Sequence, residues 1–127
     1  DGLVEELGLA HQLDKRLGAL SGGTRQKVSA VLAFRSRPRI LVMDEPTAGL
    51  DPVSARTVLD RAAALRSEGG TVLITSHLLE EVEALADRIA YLQEGTLRFL
   101  LPLNDVLQRS GTDRLALALP KLLADPV

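Results

Sequence analysis

The sequence predicts an α/β fold built on one parallel βαβ unit, followed by a hairpin and further helices. Three stretches carry that reading. Ile40-Leu41-Val42-Met43 is a short apolar run stopped by Asp44 and Glu45, the pattern of a buried parallel strand. Thr71-Val72-Leu73-Ile74-Thr75 is a second run of strand-forming residues. Between them, Asp51-Pro52 supplies an N-cap and a first helical proline. The apolar residues that follow, Val53, Val58, Leu59, Ala62, Ala63 and Leu65, suit a helix lying on a sheet, and Gly69-Gly70 closes it. Strand, helix and strand with short links imply parallel strands and a right-handed crossover. Both strands then end on one edge, where open α/β sheets collect ligands. The first strand delivers Asp44 and Glu45 there, and the second delivers Ser76 and His77. For His77 alone, a capping role fits as well as chemistry does.

In chain order, residues 4–9 read as the end of a short helix, with Leu3, Val4 and Leu7 on one face. A polar link over residues 11–16 follows, in which His11 reads as a solvated side chain. Next, Ser21-Gly22-Gly23 stands directly before a helical pattern of Val28, Val31, Leu32 and Arg35. Backbone donors and the dipole at such a helix N-terminus attract phosphate. Alone, the tripeptide more often marks a loop and an N-cap. Pro38 closes the helix.

Beyond the second strand, residues 78–86 read as a short helix with Glu80, Glu81 and Glu83 near its positive end. Residues 89–93 and 96–99 flank the turn Glu94-Gly95 as a hairpin. Residues 104–109 and 115–123 have a helical pattern, with Pro120 interrupting the second. The leucines at 115, 117, 119, 122 and 123 are expected to pack on the domain. The division expected is residues 1–100 as the main domain and 101–127 as a helical tail.

Composition narrows the function. At 127 residues the chain has room for one modest core. A net charge of −2 provides no basic field for nucleic acid or an anionic membrane. With no cysteine, disulfides and thiolate metal sites are excluded, which suits a cytosolic setting. No apolar stretch approaches the ~20 residues of a membrane span. The first residues lack the features of a secretory signal. There is no initiator methionine either, so the chain reads as a fragment or a processed piece.

With these motifs in order, the chain resembles the C-terminal half of the nucleotide-binding subunit of an ABC transporter. Leu20-Ser21-Gly22-Gly23 resembles the family's signature motif, and Gln26-Lys27 matches the pair that follows it. Residues 40–45 resemble the Walker B strand, Ala48-Gly49-Leu50-Asp51 the D-loop, and His77 the switch histidine. The likeness covers residues 3–100, and four motifs in one order make it specific where each singly is weak. Thr24 departs from the glutamine common in the signature. No Gly-x-x-x-x-Gly-Lys-Ser/Thr occurs, nor the glutamine-bearing loop expected between that motif and the signature. The resemblance therefore implies an incomplete P-loop NTPase-like ABC ATPase domain, which is not expected to bind ATP alone.

The same resemblance implies roles. Asp44 would hold Mg²⁺, and Glu45 would act as general base on the attacking water. His77 would contact the γ-phosphate. Ser21, Gly22 and Gly23 would meet ATP held by a second ABC ATPase protomer, with Asp51 crossing the dimer interface. A transmembrane permease subunit would be the other partner, placing the protein on the cytoplasmic face of the membrane, with no nucleic acid bound. Alternatives are a non-transport ABC-type ATPase of translation or DNA maintenance and a non-catalytic interaction module. Intact Asp44, Glu45 and His77 argue against the latter.

Overall fold

In the computed structural model, residues 2–124 are described. The chain falls into two compact units, Asp1–Ser76 and His77–Val127.

In the first unit, α1 (Gly2–Glu6) leads through two short 3₁₀ turns, Ala10–Gln12 and Leu17–Ala19, into α2 (Gly22–Arg35). Strand β1 (Ile40–Asp44), helix α3 (Pro52–Ser67) and strand β2 (Thr71–Thr75) then form the expected βαβ unit. The strands pair in parallel, Ile40 opposite Thr71 and Asp44 opposite Thr75. Helix α2 ends at Arg35, with Ser36 as its C-cap, two residues before Pro38. The core joins Leu3, Leu7, Leu9, Ala30, Leu41, Met43 and Val58, with Val72 and Ile74 packed against it.

Burial corrects one expectation. Strand β1 is covered on one face only: Leu41 and Met43 are buried, whereas Ile40 and Val42 are 68% and 64% exposed. Leu73 of β2 is exposed as well. A strand's side chains alternate between faces, so an unbroken apolar run needs a cover on each to be buried throughout. Similarly, α3 buries Ser54, Val58 and Ala62, while Val53 in its first turn faces out.

The second unit consists of α4 (Leu79–Leu85), the antiparallel hairpin β3 (Arg88–Gln93) and β4 (Thr96–Pro102), α5 (Leu103–Ser110) and α6 (Leu115–Ala124). Glu94 and Gly95 both have positive φ, 50° and 75°, which suits the right-handed twist of a two-residue hairpin. Tyr91 and Phe99 stack across the strands with centroids 5.6 Å apart. Ile89, Phe99, Val106, Leu115, Ala118, Leu119 and Leu122 make this unit's core.

Pro120 lies inside α6 without interrupting it. It removes one donor, yet the buried stripe of Leu115, Ala118, Leu119 and Leu122 holds both sides of the helix to the same core. Leu117, by contrast, is 58% exposed and does not join that packing.

Candidate functional site

Three segments of the first unit meet around the turn at residues 45–51: the start of α2, the end of β2 and the start of α3. The two helix starts are placed by local chemistry, and the end of β2 by its pairing with β1. Ser21 caps α2, its Oγ accepting the Thr24 N–H at 3.2 Å, and the Ser21 and Thr24 hydroxyls lie 2.7 Å apart. Thr24, the departure from the signature pattern, thus takes part in the cap itself. Arg25 reaches back to the preceding turn, donating from Nε to the Leu17 carbonyl and from Nη2 to the Gly18 carbonyl, each at 3.1 Å.

The glycines of the tripeptide differ. A Cβ on Gly23 would stand 3.0 Å from the Gly49 carbonyl oxygen, so the close approach of the two segments needs a glycine there. A Cβ on Gly22 would meet nothing within 4 Å. The fold leaves open space beside Gly22.

Asp44 ends β1 exposed, and its carboxylate accepts the hydroxyl of Thr75, its register partner on β2. Glu45, half-buried, has φ of +47°. A left-handed backbone at a non-glycine residue costs roughly 1–2 kcal/mol, so its neighbours must over-determine it. Its N–H donates to the carbonyl of Thr75 at 2.9 Å and to the Thr75 hydroxyl at 3.1 Å. Its carbonyl accepts the Ala48 N–H at 3.1 Å and Gln26 Nε2 at 3.0 Å. The same Nε2 reaches the Pro46 carbonyl at 2.9 Å.

Asp51 caps α3 twice, Oδ1 accepting the Ser54 N–H at 2.9 Å and Oδ2 the Ser54 hydroxyl at 2.7 Å. Lys27 Nζ lies 3.7 Å from Oδ2. These contacts, the Ser54 N–H first, then the Ser54 hydroxyl and the Lys27 charge, hold the Asp51 carboxyl below its ordinary pKa.

The structure therefore brings Ser21, Gly22, Gly23, Asp44, Glu45 and Asp51 into one unit, with Gly23 against the turn that Asp44 and Glu45 enter and Asp51 leaves. His77 is exposed and is the first residue of the second unit. Sequence reasoning missed two contributors. In the sequence Thr75 is only a strand end, and the register of the two parallel strands puts it opposite Asp44. In the sequence Gln26 is only part of a motif; no local pattern announces that its amide reaches carbonyls 19 and 20 residues away.

The first unit is thus an α/β domain in which a strand ending in carboxylates, a helix N-terminus with unobstructed glycine and the turn between them come together. Consistent with this, the family model described as "AAA domain, putative AbiEii toxin, Type IV TA system" matches residues 13–83, more than half of the chain. Linearmycin resistance ATP-binding protein LnrL of Bacillus subtilis is 35% identical over 87% of this chain and 36% of its own length. Nod factor export ATP-binding protein I of Burkholderia orbicola is 40% identical over 73% of this chain and 31% of its own length. Among solved structures, an ATP-binding subunit of an ABC transporter aligns with a TM-score of 0.88 and 28% identity, covering 96% of this chain and 52% of that one. The chain belongs to this AAA-domain family and, in its fold and relatives, is part of an ABC-type nucleotide-binding domain. It spans about a third of the length of these two curated relatives.

Proposed function

We propose that the chain supplies the hydrolytic and partner-facing parts of an ATP site in an ABC transporter ATP-binding subunit, which drives a membrane-embedded permease. The observation that carries this reading is the pair Asp44 and Glu45 at the end of β1, the second held in a left-handed turn. In this reading Glu45 accepts a proton from the attacking water, at hydrogen-bonding distance from it. His77 stabilises charge on the γ-phosphate. Asp44 is an exposed, hard oxygen ligand steadied by Thr75, which fits Mg²⁺, an ion that takes few carboxylates and keeps much of its water. When bound, Mg²⁺ neutralises phosphate charge.

Ser21, Gly22 and Gly23 face ATP held by a second protomer. The open space beside Gly22 supports this, because no neighbour within the fold requires that residue to lack a side chain. Asp51 links the two sites across the interface. The 127 residues contain no P-loop motif, so by themselves they lack the cradle for the β- and γ-phosphates and do not retain nucleotide. Among the described residues no helix is long and apolar enough to cross a membrane. Attachment to the cytoplasmic face of the membrane is assigned to the permease in this reading.

The test uses a full-length subunit containing this sequence. Glu45→Gln keeps the shape of the side chain but cannot take the proton. Turnover should fall on the order of 10²–10⁴-fold with Mg-ATP binding unchanged. Turnover close to that of the unmodified protein would move the base elsewhere, with His77 next in line.

A further inference from the structure

We infer that Gln26 is a positioning residue for the Glu45 carboxylate, joining the first turns of α2 to the group that activates water. The inference rests on the role proposed for Glu45. Local sequence opposes the backbone Glu45 adopts. Its φ of +47° is unfavourable for any residue bearing a Cβ, and Pro46 steers its predecessor toward extended backbone with negative φ. Contacts distant in sequence must therefore hold it, and they do so from two sides. Strand β2 fixes the N–H through the carbonyl and hydroxyl of Thr75. Helix α2 fixes the carbonyl through Gln26, whose Nε2 spans the consecutive oxygens of Glu45 and Pro46 at 3.0 and 2.9 Å. A primary amide nitrogen carries two hydrogens, so both bonds form at once.

The Glu45 side chain leaves the backbone between these two anchors, so its carboxylate is aimed by them. Gln26 also sits between two other contacts of α2 with the same turn. Gly23 lies against Gly49, and Lys27 pairs with Asp51. A displacement of the α2 N-terminus is thereby carried to Glu45 through one rigid amide.

The experiment uses the full-length ATP-binding subunit that contains this sequence. Gln26→Met keeps length and bulk and removes both donors; Gln26→Glu keeps the outline and places oxygens against the two carbonyls. Each is made alone and together with Glu45→Gln, and melting temperature, Mg-ATP KM and kcat are measured. In the unmodified background kcat should fall about 10- to 100-fold, the scale of a misplaced reacting group. The KM should stay within about twofold, because the interaction acts at the transition state and not in binding. In the Glu45→Gln background, single-turnover rates should show no further loss, since the carboxylate being positioned is already gone.

Equal fold-losses in both backgrounds would overturn the inference, and so would unchanged kcat in both Gln26 variants. A loss accompanied by a raised KM and a lowered melting temperature in both variants would also overturn it, by showing a merely structural part. If Glu45→Gln itself turns over normally, the role of Glu45 fails first and this inference with it. If Glu45→Gln is inactive and the Gln26 variants are not, only the inference fails.

Discussion

The two units secure their helix N-termini in different ways. In the first, each long helix is capped by the residue just before it: Ser21 accepts the Thr24 N–H, and Asp51 accepts the Ser54 N–H. In the second, α6 begins with its Leu115 N–H donated at 2.7 Å to Glu83 Oε2, a carboxylate on α4 that is 32 residues earlier. Arg114 Nε pairs with the other oxygen of Glu83 at 3.3 Å. A local cap forms with its own turn and leaves the helix end facing outward, where a ligand can approach. A remote cap forms only once two helices have packed, and it closes the end against a neighbour. The candidate site lies in the unit with local caps, and the closed helix end lies in the other.

Four changes test how far that contrast extends, the largest effect first. Leu115 both receives the remote cap and is buried to 1% exposure. Leu115→Ala keeps the backbone donor and removes the packing, and should lower stability by about 2–5 kcal/mol in urea unfolding. If that loss were smaller than the loss from removing the cap, packing would not be what assembles α6.

Glu83→Ala removes the cap and leaves the leucine. It strands the Leu115 N–H and breaks the Arg114 pair, and a loss of about 1–3 kcal/mol is expected. The companion change in the first unit is Ser21→Ala, expected to cost about 0.5–2 kcal/mol. Amide exchange distinguishes them. Protection should fall first at the start of α6 for Glu83→Ala and at the start of α2 for Ser21→Ala. Equal losses of protection along the entire helix in both variants would remove the distinction between local and remote caps.

The smallest effect is a pH dependence in the first unit. The folded Asp51 carboxyl has a lowered pKa, so its cap contributes stability that is fully present above the unfolded carboxyl's pKa. That contribution is lost as pH falls through the lower, folded value. Asp51→Asn should therefore flatten the acid limb of the stability profile below about pH 4, with the two profiles furthest apart near neutral pH and converging as pH falls. An unchanged acid limb would mean that the Ser54 and Lys27 contacts do not persist in solution.

Much of the first unit was legible in the sequence because its chemistry is local. Asp51-Pro52 specifies its own helix start, Ser21 specifies another, and the apolar run from Ile40 places Asp44 at a strand end by its stop at polar and turn-forming residues. The same reasoning read the Glu94-Gly95 turn correctly. It failed where an outcome depends on what lies opposite. An apolar run says that a residue can be buried, not that both faces have a cover, and so Ile40 and Val42 turned out exposed. Pro120 signals a break, but the signal carries no weight for the packed stripe that overrides it.

By itself, then, the sequence determined the order of the elements and the two local caps, since each follows from residues within a few positions of one another, and the parallel pairing of β1 with β2 followed from that order by the crossover rule. Only the tertiary structure decided the left-handed backbone of Glu45, the reach of Gln26 and the capping of α6 by Glu83. Those hydrogen bonds join residues 19 and 32 positions apart. Their geometry exists only after the core has fixed where each helix lies, because a hydrogen bond requires atoms within a few tenths of an ångström of a set distance.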